Sequence, residues 1–269
     1  MTQPPPATPN SYSPGFGSSE PVLNPGIVAP FQVPFATDTA PNAADTANAA
    51  LRATEVKKSF RSGATSRLIL DEVDFHANTG EIVFLCGPSG SGKSTLLSIM
   101  GCLLECDSGE VWIDHERVDH LNEQQKTLVR RNKIGFVFQK FQLIGALNAI
   151  DNVAVPLTQQ GMPLADAQDA ARQLLVRVGL EEQRHQLPAT MSPGQCQRVA
   201  MARAVVAKPK LLFADEPTAA LDGQSGAQVM TLLRELATET GAATVVVTHD
   251  PRIDEFADRI CHIENGGIL

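Results

Sequence analysis

The fold is decided by one stretch of sequence, Gly87-Pro88-Ser89-Gly90-Ser91-Gly92-Lys93-Ser94-Thr95. It follows an apolar run at 82–86 and precedes a helical run at 96–100. Strand, glycine-rich loop and helix in that order are typical of a phosphate-binding loop, in which glycines let successive backbone N–H groups point at a phosphate. A Gly/Ser-rich turn that fits the spacing by chance is the alternative, and the two flanking runs argue against it.

Two side chains of this loop have predicted roles. Lys93 can reach the outer phosphates of a nucleotide, and the Ser94 hydroxyl can hold Mg²⁺. The helix that begins near Ser94 directs its positive dipole end at the same phosphates. The loop therefore predicts a nucleotide site with a magnesium ion.

Composition and charge restrict the class of protein. The 269 residues suffice for one large domain or two small ones, and the net charge of −8 gives no basic field that would indicate nucleic acid. No apolar run approaches the roughly 18 residues of a membrane-spanning helix, so a membrane role would require a partner. The five cysteines form no recognised metal spacing, and we interpret them as free thiols of a reducing cytosol.

Residues 1–51 are predicted to be a disordered, proline-rich tail. They contain ten of the 18 prolines and no Lys or Arg. A segment of this composition buries too little apolar surface to offset its ordering entropy. It lacks the features of a secretory signal or a mitochondrial transit peptide. A plain solvated extension is the simpler interpretation, and a docking tail for a partner is the alternative.

The rest of the chain alternates predicted strands and helices, which implies a mostly parallel sheet covered on both faces. Strands are predicted at 55–60, 67–75, 82–86, 110–113, 134–138, 211–214, 244–247 and, as the last element, 260–263. Helices are predicted at 96–100, 195–206 and 225–239, and from the capping pair Asn122 and Gln125 to about 132.

Residues 141–193 are predicted to be a small helical subdomain inserted into the α/β core. Pro163 is placed at the first helical position and Gly179 at the stop. Between them one helical face carries Leu164, Ala167, Ala171, Leu174, Leu175 and Val178.

A second chemical element is an apolar strand, 211–214, that ends in the carboxylates Asp215 and Glu216. Such a strand would deliver both carboxylates beside the phosphate loop. Asp215 would hold Mg²⁺ directly or through water, and Glu216 is the natural general base for an attacking water. An acidic turn after a strand is the alternative, and such turns are common.

With these motifs and five others in order, residues 52–269 resemble an ATP-binding-cassette (ABC) ATPase, the nucleotide-binding subunit of an ABC transporter. Gln139 stands at the family's Q-loop, His249 at its switch histidine, and Phe60 where an aromatic ring stacks on adenine. The signature motif corresponds to Ser192-Pro193-Gly194-Gln195, and the D-loop to Ala220-Leu221-Asp222.

The resemblance implies a P-loop NTPase fold of the ABC cassette type, with a mostly parallel sheet core, an antiparallel β subdomain and the inserted helical subdomain. It implies ATP and Mg²⁺ as cofactors and hydrolysis of ATP to ADP and phosphate. The catalytic residues that it implies are Lys93, Gln139, Glu216 and His249, and the magnesium ligands are Ser94, Gln139 and Asp215. ATP would be bound by Phe60, by Gly87, Pro88, Ser89, Gly90, Ser91, Gly92, Lys93, Ser94 and Thr95, and by Ser192, Gly194, Gln195 and Asp222.

The resemblance also implies a head-to-tail homodimer that buries two ATP molecules. Ser192 and the N–H of Gly194, before a helix, would bind the γ-phosphate held by the second copy, and Asp222 would join the two sites. Arg203 in that helix is predicted to be a structural ion-pair partner. Pro193 departs from the family's usual glycine and removes a backbone donor, so we hypothesise an active site with an adjusted rate.

Within the family, residues 134–139 and 214–222 resemble the lipoprotein-release and macrolide-export group. Residues 218–222, 248–250 and 257–259 are most similar to ATPases of cyanobacterial heterocyst-type exporters. That likeness implies a separate integral-membrane permease, a periplasmic adaptor reached through it, and export of a lipid, glycolipid or peptide. The helical subdomain, with the segment at 141–153, would receive the cytoplasmic helices of the permease. The chain would lie peripherally on the cytoplasmic face of the inner or plasma membrane.

Two other functions stay open. A soluble ABC ATPase acting on nucleic acid or ribosomes usually carries long coiled-coil or zinc insertions or two fused cassettes, and this chain shows neither these nor a basic patch. A slow ATP-gated clamp is disfavoured by Glu216 and His249 and slightly favoured by Pro193. The sequence therefore predicts a transport-coupled ATPase with no nucleic-acid partner.

Overall fold

The computed structural model describes Met1, residues 48–63 and residues 65–269. Most of the predicted tail lies outside the described residues, so its disorder stays a prediction. Its predicted end at residue 51 does not coincide with the start of the fold, because the first strand begins at Ala49 and Leu51 is fully buried.

Ten strands and six α-helices are formed by the residues from 48 onward that the structure describes. In chain order they are β1 (Ala49–Ser62), β2 (Thr65–Asn78), β3 (Ile82–Cys86), α1 (Lys93–Met100), β4 (Ser108–Ile113), β5 (Glu116–Arg117), α2 (Glu123–Lys133), β6 (Ile134–Val137), α3 (Ala149–Gln159), α4 (Leu164–Arg177), α5 (Pro193–Val205), β7 (Leu211–Asp215), α6 (Gly223–Thr240), β8 (Ala243–Thr248), β9 (Arg259–Glu264) and β10 (Gly267–Ile268). Short 3₁₀ helices lie at Pro188–Thr190 and Pro251–Phe256.

The strands form two sheets. The larger has the order β10-β9-β3-β8-β7-β6, and its strands are parallel except for the edge strand β10. The smaller sheet, β2-β1-β4-β5, is antiparallel. The predicted fold class is therefore confirmed, with a parallel core, an antiparallel β subdomain and helices inserted between β6 and β7.

Strand β3 lies inside the larger sheet and packs on both faces. Ile82 and Phe84 belong to one hydrophobic cluster, which includes residues of α3, α4, α5 and α6. Val83 and Leu85 belong to the other cluster, which includes residues of the antiparallel sheet and α1. Because both faces are buried, the strand reads as an uninterrupted apolar run.

The predicted last strand is not the last element. After β9 the chain turns at Asn265 and Gly266, both with positive φ (51° and 83°), and returns as β10. Asn-Gly is a strong signal for a two-residue hairpin, so the sequence carried the information and our strand prediction missed it. The turn also contacts β2, since the Asp71 N–H donates to the Gly266 carbonyl at 2.9 Å.

The helical subdomain contains one helix that the pattern did not predict. This helix, α3, starts after Asn148, whose side chain accepts a hydrogen bond from the Asp151 N–H, and it contains Pro156. Pro163 is the N-cap of α4 and not its first residue, because its ψ of 143° is extended. Gly179 follows the last turn of α4 with φ 71°, as expected of a helix stop.

The predicted capping pair of α2 is confirmed. The Gln125 N–H donates to the Asn122 side chain, and the Gln125 side chain accepts from the Asn122 N–H, both at 3.0 Å. Strands β1 and β2 are each 14 residues long, longer than predicted, because they pair with each other along their length. None of the helices in the described part of the chain is both long and apolar enough to span a bilayer.

Candidate functional site

A cavity of about 780 Å³ lies where β3, β7 and β8 end at the carboxyl edge of the parallel sheet. Its lining contains most of the predicted nucleotide-site residues: Phe60, Pro88, Ser89, Gly90, Gly92, Lys93, Ser94, Thr95, Gln139, Asp215, Glu216 and His249. Arg67 and Ile69 on β2 also line it, and the sequence did not single them out. We call this cavity the nucleotide pocket.

The loop at 87–95 follows a path that only glycine accommodates at two points. Gly87 and Gly92 have φ of 151° and 109°. A Cβ atom on Gly87 would lie 2.2 Å from the Ile263 carbonyl oxygen, and one on Gly92 would lie 2.7 Å from Leu70 Cδ2. Substitution at either position would push the loop away from β9 or β2.

Helix α1 begins with its first-turn N–H groups free of side-chain caps. Its N-cap is Gly92, and no side chain hydrogen-bonds to the first turn. Such a terminus, reinforced by the helix dipole, suits an anion. Lys93 adds a cation beside it, where Nζ donates to the carbonyl oxygens of Gly87 and Pro88 at 2.8 Å each.

One buried polar atom of the loop also fits a phosphate-binding role. Ser91 Oγ is buried and has no hydrogen-bond partner among the described residues. Buried hydroxyl groups nearly always have a partner, so this one is available to a ligand or a water molecule. Together with the uncapped helix start, it shows that the loop fits a phosphate group.

The residues predicted to hold Mg²⁺ lie together. Ser94 Oγ donates to Asp215 Oδ1 at 3.4 Å, and Gln139 lines the same pocket. Burial raises the pKa of Asp215, and the neighbouring charge of Glu216 raises it further. A hydroxyl, an amide oxygen and a carboxylate are oxygen ligands of the kind that Mg²⁺ accepts, so this donor set fits the ion.

Glu216 and His249 contact each other across 33 positions of sequence. His249 Nδ1 lies 2.6 Å from Glu216 Oε1. Glu216 has φ 49°, a left-handed conformation that is uncommon for a residue with a side chain, and its N–H donates to the Val247 carbonyl at 2.9 Å. The end of β8 therefore holds the backbone of Glu216 on one side.

The signature residues lie elsewhere. Ser192, Pro193, Gly194 and Asp222 line a separate cavity of about 530 Å³ between α5, the end of α4 and α6. We call it the signature surface. One copy of the chain therefore does not bring Ser192, Gly194 or Asp222 into the nucleotide pocket.

Several signature residues are helix caps. The Gln195 N–H donates to Ser192 Oγ at 3.3 Å, and the Gln195 side chain accepts from the Ser192 N–H at 2.9 Å, which forms a capping box on α5. Asp222 caps α6 by accepting from the Ser225 N–H. The Ser-x-x-Gln spacing was a visible capping signal that our sequence interpretation did not use.

Pro193 occupies the first position of α5. The N–H of a residue at that position has no partner within the helix, and the fixed φ of proline suits it. The helix itself therefore loses no hydrogen bond through Pro193.

The prediction for Arg203 is wrong. Its guanidinium donates to the carbonyl oxygens of Gln142 at 2.7 Å and Phe141 at 2.9 Å, instead of pairing with a carboxylate. Burial lowers its pKa. Phe141 (φ 59°) and Gln142 (φ 49°) form a left-handed turn that begins two residues after Gln139. Sequence alone could not show this contact, because Arg203 and Gln142 are 61 positions apart in the chain.

Comparison with known proteins identifies the class. Residues 70–219, more than half of the chain, match the family model described as "ABC transporter". The chain therefore belongs to the ABC transporter family, and it is an ATP-binding cassette with ATP hydrolase activity.

Individual relatives narrow the assignment within the family. The chain is 43% identical over 216 residues to the lipoprotein-releasing system ATP-binding protein LolD of Shewanella sp. strain MR-4, covering 80% of this chain and 94% of that protein. It is 41% identical over 219 residues to the macrolide export ATP-binding/permease protein MacB of Agrobacterium fabrum, covering 81% of this chain and 34% of MacB. The chain thus spans about a third of the length of MacB.

A solved structure is similar as well. The ATP-binding cassette MJ0796, from Methanocaldococcus jannaschii, is recorded as a dimer in a post-hydrolysis state bound to ADP and Pi. This chain matches it with a TM-score of 0.76 and 40% identity, covering 81% of this chain and 96% of that one. The predicted likeness to the lipoprotein-release and macrolide-export group is confirmed, whereas the likeness to heterocyst-type exporters stays a prediction.

Proposed function

We propose that this chain powers a transporter whose permease is a separate protein, and that two copies hydrolyse ATP as a head-to-tail dimer. One observation is the main support for the proposed dimer: the nucleotide pocket and the signature surface are different cavities of one chain. A site that uses both must be built from two copies, each supplying one part. The dimeric, ADP-bound structure of the similar cassette MJ0796 supports this arrangement.

Within the pocket each residue has a proposed task. Glu216 removes a proton from the attacking water, and His249, 2.6 Å from it, holds that carboxylate in position. Lys93 exchanges its two carbonyl partners for the outer phosphates, where its charge is more strongly stabilised. Phe60, 45% exposed at the pocket edge, is available to stack on adenine.

We propose Ser94, Gln139 and Asp215 as the magnesium ligands. When bound, Mg²⁺ would offset the negative charge of the phosphates. The ionised form of Asp215, disfavoured by burial, is the form that binds a cation. Metal binding therefore compensates for an electrostatic cost that the fold imposes at this position.

The permease is proposed to dock in a groove of about 660 Å³ beside the segment that follows Gln139. The groove combines apolar and cationic side chains, and its lining includes Phe136, Phe138, Ile144, Val155, Pro156, Arg130, Arg131 and Arg203. Ile144 is 42% exposed there, which suits contact with a cytoplasmic helix of the permease. Movement of that helix would reach Gln139 through the backbone that Arg203 holds.

Likeness to two relatives supports the cargo and the location that we propose. LolD is named for lipoprotein release and MacB for macrolide export. We propose that this chain serves export of a lipid, glycolipid or peptide from the cytoplasmic face of the inner or plasma membrane. A periplasmic adaptor would be reached through the permease, and no nucleic acid would take part.

The experiment is purification of the tagged chain from its native membranes in mild detergent. We expect a stoichiometric integral-membrane protein, with ATPase activity higher in the complex than in the free chain. Ile144→Asp should remove the membrane protein and leave the ATPase of the free chain unchanged, whereas the exposed Leu187→Asp, outside the groove, should retain it. Recovery only with ribosomes or nucleic acid would instead favour a soluble ABC ATPase.

A further inference from the structure

Gln197 joins the helix that starts at the signature surface to the segment that carries Glu216. It lies on α5, five residues after Ser192, and is 1% exposed. Its Nε2 donates to the carbonyl oxygen of Pro217 at 2.8 Å. Pro217 directly follows Glu216 and, as a proline, has no N–H of its own to fix its position.

The hydrogen bond lies at a strained point of the backbone. Glu216 has φ 49°, and such conformations persist only where the surroundings hold them. On one side the Glu216 N–H is bound to the Val247 carbonyl at the end of β8. On the other side the carbonyl that follows Glu216 is held by Gln197. The general base is thus held between the parallel sheet and helix α5.

The second amide atom of Gln197 is unusual. Oε1 is buried and has no hydrogen-bond partner in the part of the chain that the structure describes. A residue that only filled the core at this point would be better apolar, because an unpaired buried polar atom costs about 1–3 kcal/mol. The amide is therefore retained at a cost to stability, and its one hydrogen bond goes to the segment of the general base.

Gln197 and Ser192 lie on the same helix, so a movement of the N-terminus of α5 can reach the hydrogen bond between Gln197 and Pro217. Ser192 and Gln197 lie about 7.5 Å apart along the helix axis, at 1.5 Å per residue. A helix of this length moves as one body, so displacement of its N-terminus displaces Gln197. In the proposed dimer that N-terminus contacts the nucleotide of the partner, whereas Glu216 acts on the nucleotide of its own chain.

We propose that Gln197 is a positioning residue that couples the two ATP sites. Nucleotide engaged at Ser192 and Gly194 seats α5, and Gln197 then holds Pro217, and with it Glu216, in the conformation that hydrolysis requires. ATP bound at one site thereby positions Glu216, the general base of the other site. This inference rests on the proposed head-to-tail dimer.

The test is the dependence of the ATPase rate on ATP concentration for the full chain. We expect the wild type to show a Hill coefficient above 1 and at most about 2, the number of sites setting the upper limit. Gln197→Met, similar in volume but without the amide, should bring the coefficient to about 1. It should also lower kcat by up to about 10²-fold, the cost of misplacing a reacting group by about 1 Å. ATP binding to the single chain should not change, because Gln197 does not line the nucleotide pocket.

Thr244→Val is the matched control. Thr244 is fully buried and polar, but it lies at the start of β8, away from the pocket end of that strand. This variant also removes a buried hydrogen-bonding group, and it should keep the wild-type Hill coefficient and kcat. Gln197→Asn, which keeps an amide too short to reach Pro217, replaces the Met variant if that variant fails to fold, and should give the same loss.

The outcomes separate the inference from the proposed function. Cooperative hydrolysis that persists in a folded Gln197 variant overturns the coupling and leaves the dimer intact. A wild type that neither dimerises with ATP nor hydrolyses it overturns the proposed function, and the coupling with it. Equal losses in Gln197→Met and Thr244→Val would show a general effect on stability and would also overturn the coupling.

Discussion

Two helix starts in this cassette are built in opposite ways. Helix α1 begins at Gly92 with no side-chain cap, and α5 begins at Ser192 with a complete capping box. Both lie within segments proposed to bind phosphate. The first offers its N–H groups directly, whereas the second has already given the Gln195 N–H to Ser192 Oγ.

The two helix starts predict an order of binding. An uncapped start can receive a phosphate at once, so α1 suits the first encounter of one chain with ATP. At α5 the Ser192 Oγ accepts from the Gln195 N–H and keeps its O–H free to donate to a phosphate, but the Gln195 N–H is already used in a cap whose loss costs about 1 kcal/mol. Fewer backbone donors of α5 are therefore free for the partner's nucleotide. Closure of the dimer is thus expected to be the later and weaker step.

The test with the largest expected effect removes the proposed general base, Glu216, from the nucleotide pocket into which α1 opens. We expect Glu216→Gln to lower the rate of ATP hydrolysis by about 10²- to 10⁴-fold, the usual contribution of a positioned base. ATP binding should remain, so the variant should accumulate as an ATP-bound dimer on gel filtration. The exposed Glu264→Gln, outside the pocket, is the control. Full turnover in Glu216→Gln would show that another group takes the proton.

The second test removes the cation beside α1. Lys93→Ala should weaken ATP binding about 10- to 100-fold, because a charge-assisted hydrogen bond contributes about 1.5–3 kcal/mol, and it should abolish hydrolysis. Equilibrium titration with a fluorescent nucleotide measures the affinity. Lys210→Ala, at the other end of β7 from the pocket, should bind normally. Unchanged affinity in Lys93→Ala would contradict the assignment of α1 as the first binding point.

The third test separates the cap of α5 from its contact with phosphate. Ser192→Ala should lower stability by about 1 kcal/mol through loss of the cap, and it should also reduce ATPase activity severalfold while single-chain ATP binding persists. Asn122→Ala removes the equivalent capping box from α2, outside both cavities. If both variants lose activity equally, the effect of Ser192 is only structural.

The smallest effect is expected at Pro193. Pro193→Gly should lower the free energy of unfolding by about 0.4–1 kcal/mol, because glycine gives the unfolded chain more freedom. A steady-state phosphate-release assay gives the rate. Equal ATPase in the two proteins would show that the proline is neutral, and a large gain in Pro193→Gly would show that the missing N–H contacts phosphate. Complete inactivity of the wild type would contradict our hypothesis of an active site.

The sequence predicted those parts of the fold that depend on interactions between residues close together in the chain. The strand, loop and helix around Lys93 and the capping pair at Asn122 depend on neighbours within a few residues, and both were predicted. The helix α3 was missed because Pro156 interrupts its pattern, although the tertiary packing of Val153 and Leu157 supports it. Such packing overrides local preference.

The candidate site also contains features that the sequence predicted and contacts that it could not predict. The carboxylates at 215 and 216 were placed beside the phosphate loop because a strand ends there. The contacts that orient them were not predictable, since His249 approaches Glu216 from another strand and Gln197 approaches Pro217 from another helix. A single sequence carries no signal for pairs that meet only after the chain has folded.

The strict alternation of β3 has a consequence for which sequence changes the chain tolerates. Ile82 and Phe84 face one hydrophobic cluster, and Val83 and Leu85 face the other. Deletion of one residue from β3 would move every later side chain of this strand to the opposite face of the sheet. It would also turn the phosphate loop toward that face. Insertions and deletions should therefore be absent from residues 82–95 in functional variants of this chain, whereas changes of length at the exposed turn around Gly161 leave both clusters unchanged.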